Sequence, residues 1–391
     1  MSDRRWLILV ALFIARTSLG YQFQSVASSA SFIEAELHIG YAVIGTLIGL
    51  QAIPGVALSL PGGMLVTRFG DRTVFVVSLL LMIGGALLLS VGDTVPTLMV
   101  GRLVSGTGTI LFNVVLTKML TDWFAKRETV FAMGALMSSW PFGIALGLVV
   151  QGRIAEALGW RAGMAIVAAY CLFSLVLLLV LYRPPPDLQA SATEKTTWWN
   201  PPDWPALQGV LVASLAWSCL NLGLVILFSF GAGFLATRGM PGPEAAAVTS
   251  LALWIAILSI PLGGFMLQRV AAPRLMACLS YLAAAAALVA LALDVSPVLA
   301  CIAFGIALGP GPGAIMALPT RVLAPQHRAT GLGIFGSLYG IVLGLGPWAA
   351  GLVVDAAGTP AAALLLGAAL FALCVPLTIL FEVTTRRLAA R

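Results

Sequence analysis

Negative charge is what this chain has least of, and none of it falls in the middle of an apolar run. Its 391 residues hold 15 Asp and Glu against 21 Lys and Arg, with only 2 His. Asp3, Asp71, Asp122, Glu128, Asp187, Glu194, Asp203 and Glu382 lie at the ends of hydrophobic segments on one side, and Glu34, Glu36, Asp93, Glu156, Glu244, Asp294 and Asp355 on the other. A carboxylate held inside a membrane, the usual device of proton-driven cation export, is therefore missing. Charge of either sign is also rare. Only 9% of residues are charged, where a soluble chain carries about a quarter, and 60% are hydrophobic. These values exclude an ordinary soluble domain and indicate a polytopic membrane protein. The 5 cysteines, Cys171, Cys219, Cys278, Cys301 and Cys374, sit in apolar runs, so none is placed for a disulfide or a metal cluster. His38 and His327 stand alone at opposite faces. No nucleotide-binding loop and no Ser/His/Asp set is present, so neither ATP hydrolysis nor other catalysis is expected, and no cofactor is implied.

What the chain has instead is long apolar segments. About 20 residues of helix cross the hydrocarbon, and such runs fall near 6–30, 41–67, 73–92, 96–119, 128–152, 160–182, 206–236, 244–268, 273–293, 297–322, 328–353 and 360–383. The expected fold is an all-α membrane protein of twelve transmembrane helices. The first segment has the look of a secretory signal, but the further spans behind it favour an uncleaved first helix. The longest polar stretch, "RPPPDLQASATEKTTWWNPPDW", is rich in proline, and Trp198 and Trp199 suit a water–lipid interface. It divides the chain into a six-helix bundle at 1–182, a linker at 183–205 and a second six-helix bundle at 206–391. Most Lys and Arg fall on the side of both termini and this linker; Arg153, Arg161 and Arg238 fall on the other. The excess of Lys and Arg inside predicts cytoplasmic termini in a bacterial-type inner membrane. Because these residues never form a patch, no nucleic-acid partner is expected. The partners expected are the bilayer and a small solute, and the chain is expected to act as a monomer.

The halves repeat. "LPGGMLVTRFGDR" and "PLGGFMLQRVAAPR" each place an arginine five residues after the second glycine of a pair, Gly63 to Arg68 and Gly264 to Arg269. Gly106, Gly108 and Lys118 align with Gly309, Gly311 and Arg321, and "GLVV" recurs at 147–150 and 351–354. Parallel six-helix repeats are the architecture of secondary transporters that rock around a central site.

The junction "GMLVTRFGDR", Gly63 to Arg72, resembles the signature loop G-x-x-x-D-R-x-G-R-R of the major facilitator superfamily. Gly63, Leu65, Arg68, Gly70 and Arg72 match; Thr67 replaces the Asp, and Asp71 a base. "RLVSGTG", Arg102 to Gly108, is similar to the family's fourth-helix pattern R-x-x-x-G-x-G. The arginine in helix one resembles the family's cyanate-permease branch. The Gly-Pro-x-x-Gly-Gly core of drug–proton antiporters is missing from "GALMSSWPFGIALG", as is the nitrate-porter signature from helices five and eleven. The resemblance implies two pseudo-repeats around a central cavity lined by helices 1, 4, 7 and 10, alternating access, and a gating role for Gly63, Arg68, Gly70 and Arg72.

Two basic residues remain within the spans. Arg16 lies ten residues past Trp6, about 15 Å along the helix and so near mid-bilayer. Arg102 lies six residues beyond Pro96, about 9 Å from the outer end. An arginine at a span centre costs about 2.5–3.5 kcal/mol to insert and usually faces a bundle interior or a water path. Gly106, Thr109 and Asn113 continue a polar stripe below Arg102, and Gln24 flanks the face of Arg16. Trp217, Asn221 and Tyr339, with Trp140, are candidates to shape the cavity. Guanidinium suits a carboxylate or other oxyanion, so Arg16 and Arg102 are expected to converge on a small anionic substrate. Their other reading is that each binds backbone carbonyls. An efflux transporter or flippase for amphipathic compounds or lipids is the alternative function. "GPGPG", Gly309 to Gly313, predicts a break in helix ten and makes Gly309, Gly311 and Gly313 candidate gating positions.

Overall fold

The computed structural model describes residues 2–124, 129–183, 200–293, 295–324 and 327–389, so most of the linker at 183–205, with Trp198 and Trp199, lies outside the described residues. Among the described residues every regular element is a helix, and twelve stretches are long and apolar enough to cross a membrane. Lipid offers the backbone no hydrogen-bonding partner, so an apolar run of this length folds as a helix that closes its own ladder.

In chain order the first span is α1 (Ser2–Ser28), followed by a short α2 (Ala30–Leu37). The second span comes in three pieces, α3 (Tyr41–Gly49), α4 (Pro54–Leu58) and α5 (Gly62–Phe69). The sequence predicts one continuous helix here; Pro54 and Pro61 lack the N–H that would carry the ladder across. Next come α6 (Asp71–Val91), α7 (Val95–Phe124), α8 (Thr129–Leu158) and α9 (Trp160–Leu181). Then follow α10 (Trp204–Thr237), α11 (Gly242–Leu267) and α12 (Pro273–Ala292). The tenth span is again divided, into α13 (Pro297–Ala307), α14 (Gly311–Met316) and α15 (Leu318–Val322), breaking at the Gly-Pro-Gly-Pro-Gly run as its missing donors predict. The last two spans are α16 (Arg328–Ala357) and α17 (Ala361–Ala389).

The chain forms two compact units. One comprises Met1–His38 and Leu50–Thr196, the other Ile39–Gly49 and Thr197–Arg391. The second unit thus takes α3 as well as α10 to α17. The reason is a seam of small residues: a Cβ on Gly45 or Gly49 would fall on the carbonyls of Pro347 or Gly344 in α16. Asp355, near the end of α16, accepts hydrogen bonds from the amides of Tyr41 (3.0 Å) and Ala42 (2.9 Å) at the start of α3. These are orphan donors of a helix N-terminus, satisfied by a carboxylate.

Within the first unit α1 is packed on both α8 and α9, and α6 on α7 and α9. The outward faces of α6 and α9 expose large apolar side chains such as Leu80, Leu87, Leu172 and Val176. In the second unit α12 and α17 do the same with Leu279, Leu282, Leu373 and Ile379. These are the four segments whose sequence is apolar nearly all round.

Candidate functional site

Arg16 is placed by a close approach of α1 and α8. A Cβ on Gly20 would land on the carbonyl oxygen of Trp140, and one on Gly143 on that of Thr17. Only glycine allows two helices this near at that level. Arg16 sits one turn before Gly20, so its side chain runs straight onto α8.

There it meets a defect in the helix. Pro141 has no N–H, so the carbonyl of Met137, four residues earlier, is without its usual intrahelical donor. Arg16 Nη1 donates to that carbonyl at 3.2 Å, to the carbonyl of Leu136 at 2.8 Å and to Ser139 Oγ at 3.3 Å. On its other edge, Nε and Nη2 both donate to Asn113 Oδ1 of α7, at 3.2 and 3.1 Å. The remaining partner of Nη2 is the thioether of Met137, 3.6 Å away and a weak acceptor. Arg16 itself is only 6% exposed, while Met137 is 41% exposed and Asn113 is open as well. The guanidinium is therefore anchored along one edge by oxygens and covered at one nitrogen by a side chain that can swing aside. Among the described residues no carboxylate touches it; the ion pairs lie at the ends of the spans.

Arg102 lies elsewhere. It is fully buried and directs Nη1 to the carbonyl of Gln22 (3.1 Å) and Nη2 to that of Phe23 (3.4 Å), both on α1. Asn113 is eleven residues further along α7, about 16 Å at the helical rise, so the two arginines occupy separate neighbourhoods in this structure. Gln24, also buried, reaches Ser28 Oγ at 3.2 Å and packs over Gly147. In the second unit Trp217 and Tyr339 pair with ring centroids 6.5 Å apart, and Asn221 donates to the carbonyl of Trp217 at 2.8 Å.

The gating candidates divide too. Gly63 has open space where a Cβ would point, and Gly70 has φ +77°, joining α5 to α6. Arg68 lies over the ring of Phe69 at 5.5 Å, and Arg72 lines a cavity at the foot of α6. Gly309 is pressed against α11, where a Cβ on Gly263 would strike it, and Gly311 lies under the ring of Tyr281. Gly313 is not tightly packed.

Several polar residues escaped the sequence reading. Gln51 sits at the break in the second span, buried, donating to Thr109 Oγ1 at 3.1 Å, and Gln22 donates to the carbonyl of Met82 at 2.9 Å. Tyr21 Oη donates to Gln151 Oε1 at 3.0 Å. Ser139 and Met137 were legible from one signal, their spacing from Pro141.

The model of the Major Facilitator Superfamily matches residues 10–300 and 209–390. The chain belongs to the major facilitator superfamily. It is a multi-pass membrane transporter that works by alternating access, and not an enzyme. Among curated superfamily proteins it is similar to the nitrite extrusion protein of Bacillus subtilis, 24% identical over 338 residues, covering 82% of this chain and 79% of that one. It also resembles multidrug resistance protein 1 of the same organism, 26% identical over 49% of this chain and 48% of that one. The probable sulfoacetate transporter of Cupriavidus necator is 26% identical over 43% of this chain and 39% of its own. Among solved structures, a nucleoside transporter superposes with TM-score 0.77 at 16% identity, over 97% of this chain and 99% of that one. A bacterial homologue of the lysosomal transporter Spinster, inward-facing and occupied, superposes with TM-score 0.69 at 19% identity, over 97% and 96%. At such identities the superpositions speak to the fold alone.

Proposed function

We propose that this transporter carries a small anion, a carboxylate or similar oxyanion, and that Arg16 is its anchor. The observation that carries the reading is the edge of the Arg16 guanidinium at Nη2. Its other donors go to neutral oxygens, its last one to a thioether, and no carboxylate among the described residues balances its charge. An oxyanion that displaces the Met137 sulfur gains a charge-assisted hydrogen bond. Asn113, held at its oxygen by Arg16, keeps its amide NH2 for a second oxygen of the substrate. Two of the relatives are named for anions, nitrite and sulfoacetate, which supports the same substrate class. With no carboxylate at this depth, transport runs as facilitated diffusion or anion exchange, or takes up a proton only with the substrate. The distribution of Lys and Arg supports a bacterial-type inner membrane with both termini in the cytoplasm, and a single chain suffices.

Export of amphipathic compounds is the second reading. It draws on the likeness to a multidrug resistance protein and on the aromatic pair Trp217–Tyr339.

The deciding experiment is anion uptake into proteoliposomes by wild type and Arg16→Ala. Loss of a charge-assisted pair in a desolvated site costs about 2–5 kcal/mol, roughly 30- to several-thousand-fold in affinity. Unchanged affinity in Arg16→Ala, in a protein that elutes and unfolds normally, moves the second reading ahead.

A further inference from the structure

The first unit has a cavity of about 630 Å³ at the foot of α6 and α9. It lies at the end where the chain begins, since Trp6 packs on Phe124 at the close of α7 and Trp123 reaches Arg183. Its polar wall is Asp71, Arg72, Thr73, Tyr182 and Arg183; its apolar wall is Phe69, Leu179 and Val180. Neither arginine forms an ion pair with a carboxylate among the described residues. The one acid in the wall, Asp71, is engaged: Lys118 Nζ lies 2.9 Å from its Oδ1, and Tyr182 Oη donates to its Oδ2 at 3.3 Å. Lys118 also pairs with Asp122 at 2.8 Å. That trio carries one net negative charge, which Arg72 and Arg183 outweigh.

Arg183 is held in place by its own backbone. Trp123 Nε1 donates to its carbonyl at 3.1 Å, and the preceding Tyr182 packs edge-on against Phe75, 6.2 Å between centroids. Above the cavity the outer faces of α6 and α9 continue as bare apolar surface, with Val77, Leu80, Val176 and Val180 all exposed.

The other repeat provides an internal control. Arg274 stands where Arg72 does, and Arg321 where Lys118 does. There Glu382 at the end of α17 lies 3.6 Å from Arg274 and 3.4 Å from Arg321, and the remaining hollow is only about 260 Å³. One corner is neutralised from within; its counterpart leaves two guanidiniums facing an open cavity under a lipid-facing slope.

We propose that this corner binds an anionic phospholipid, its phosphate bridged by Arg72 and Arg183 and its chains lying along α6 and α9. Basic pockets between spanning helices at headgroup level suit such lipids, and two guanidiniums match phosphate oxygens in pairs. The apolar wall selects a lipid over a free anion, because it gives binding area only to a ligand with chains.

The test titrates the purified full-length protein, in a neutral detergent, with dioctanoyl phosphatidylglycerol, dioctanoyl phosphatidylcholine or inorganic phosphate, reading the unfolding midpoint and the lipid retained in native mass spectra. Phosphatidylglycerol should raise the midpoint and remain bound; the other two should not. The double variant Arg72→Gln, Arg183→Gln should bind it about 30-fold more weakly, at roughly five-fold per basic side chain. Arg183→Glu, which copies the closed corner, should abolish binding, and Arg274→Gln should leave it unchanged. Thr73→Trp fills the cavity without altering charge and should also block retention, which covers the case in which the double variant fails to fold. Wild-type affinity in the double variant, in Arg183→Glu or in Thr73→Trp overturns the proposal, as does an equal response to phosphatidylcholine. An equal response to inorganic phosphate makes the corner a free-anion site and overturns it as well.

Discussion

Arg16 and Pro141 are coupled through one carbonyl: that of Met137, which the proline ring leaves without a donor, is one that the guanidinium occupies, at 3.2 Å. A proline inside a helix costs about 3 kcal/mol in isolation. Here the released acceptor is satisfied by a charged donor from α1, which offsets part of that cost and fixes the arginine's direction. Pro141→Ala returns an N–H to α8. It should raise thermal stability while weakening substrate affinity by up to about tenfold, roughly one hydrogen bond's worth. Thermal unfolding and concentration-dependent uptake check both directions.

Asn113→Asp puts a carboxylate where an amide oxygen now accepts from Nε and Nη2 of Arg16 at 3.2 and 3.1 Å. The internal ion pair takes over the role assigned to the substrate. The variant should fold at least as well as wild type and lose anion binding. Arg16→Lys should recover little, since an ammonium lacks the planar fork. Anion uptake that survives Asn113→Asp with wild-type affinity sinks the assignment.

Gly20→Ala tests the seam that aims Arg16. The added methyl strikes main-chain atoms of α8, which cannot rotate away, so the helices must separate. A loss of about 1–3 kcal/mol is expected, with uptake falling alongside, because Asn113 and the Leu136 carbonyl move out of joint reach. Wild-type stability and uptake in the variant mean that α1 is not held by this contact.

Glu36 predicts a pH dependence. Arg161, which donates to its Oε1, and then Trp160, which donates to its Oε2 at 2.6 Å, hold its carboxyl below the ordinary range. A depressed folded-state value adds stability above the unfolded value, about 4.3 for Glu. That stability is lost as the pH falls through the lower, folded one. The unfolding midpoint of wild type should therefore drop on acidification below about pH 4.3, and Glu36→Gln should remove that part of the slope. Substrate-driven proton flux should be the same in both, since this carboxylate is committed to Arg161; flux that vanishes in the variant gives Glu36 a part in coupling.

The spans, the repeat and the two arginines within the spans were legible because hydropathy, periodicity and charge are local properties of a sequence. The break at Gly309–Gly313 was readable for the same reason: missing donors act within a turn. What resisted reading was where each guanidinium ends. Arg102 and Asn113 share a stripe on α7, which suggested a joint site. Arg102 instead turns to the carbonyls of Gln22 and Phe23 on α1, a pairing that depends on how closely two helices approach. Gln51 was missed because the second span reads as one continuous helix, and only its break brings that side chain against Thr109.

On the role proposed for Arg16, a guanidinium at mid-membrane also decides which half of the transport cycle feels voltage. Moving one charge across 100 mV is worth about 2.3 kcal/mol. With a monovalent anion docked on Arg16 that position is electrically silent; once emptied, it carries a full positive charge. The membrane potential then acts on the return of the empty carrier rather than on the loaded step. For a chain without a carboxylate at that depth, the arginine proposed to select the cargo is also the element that would sense the field.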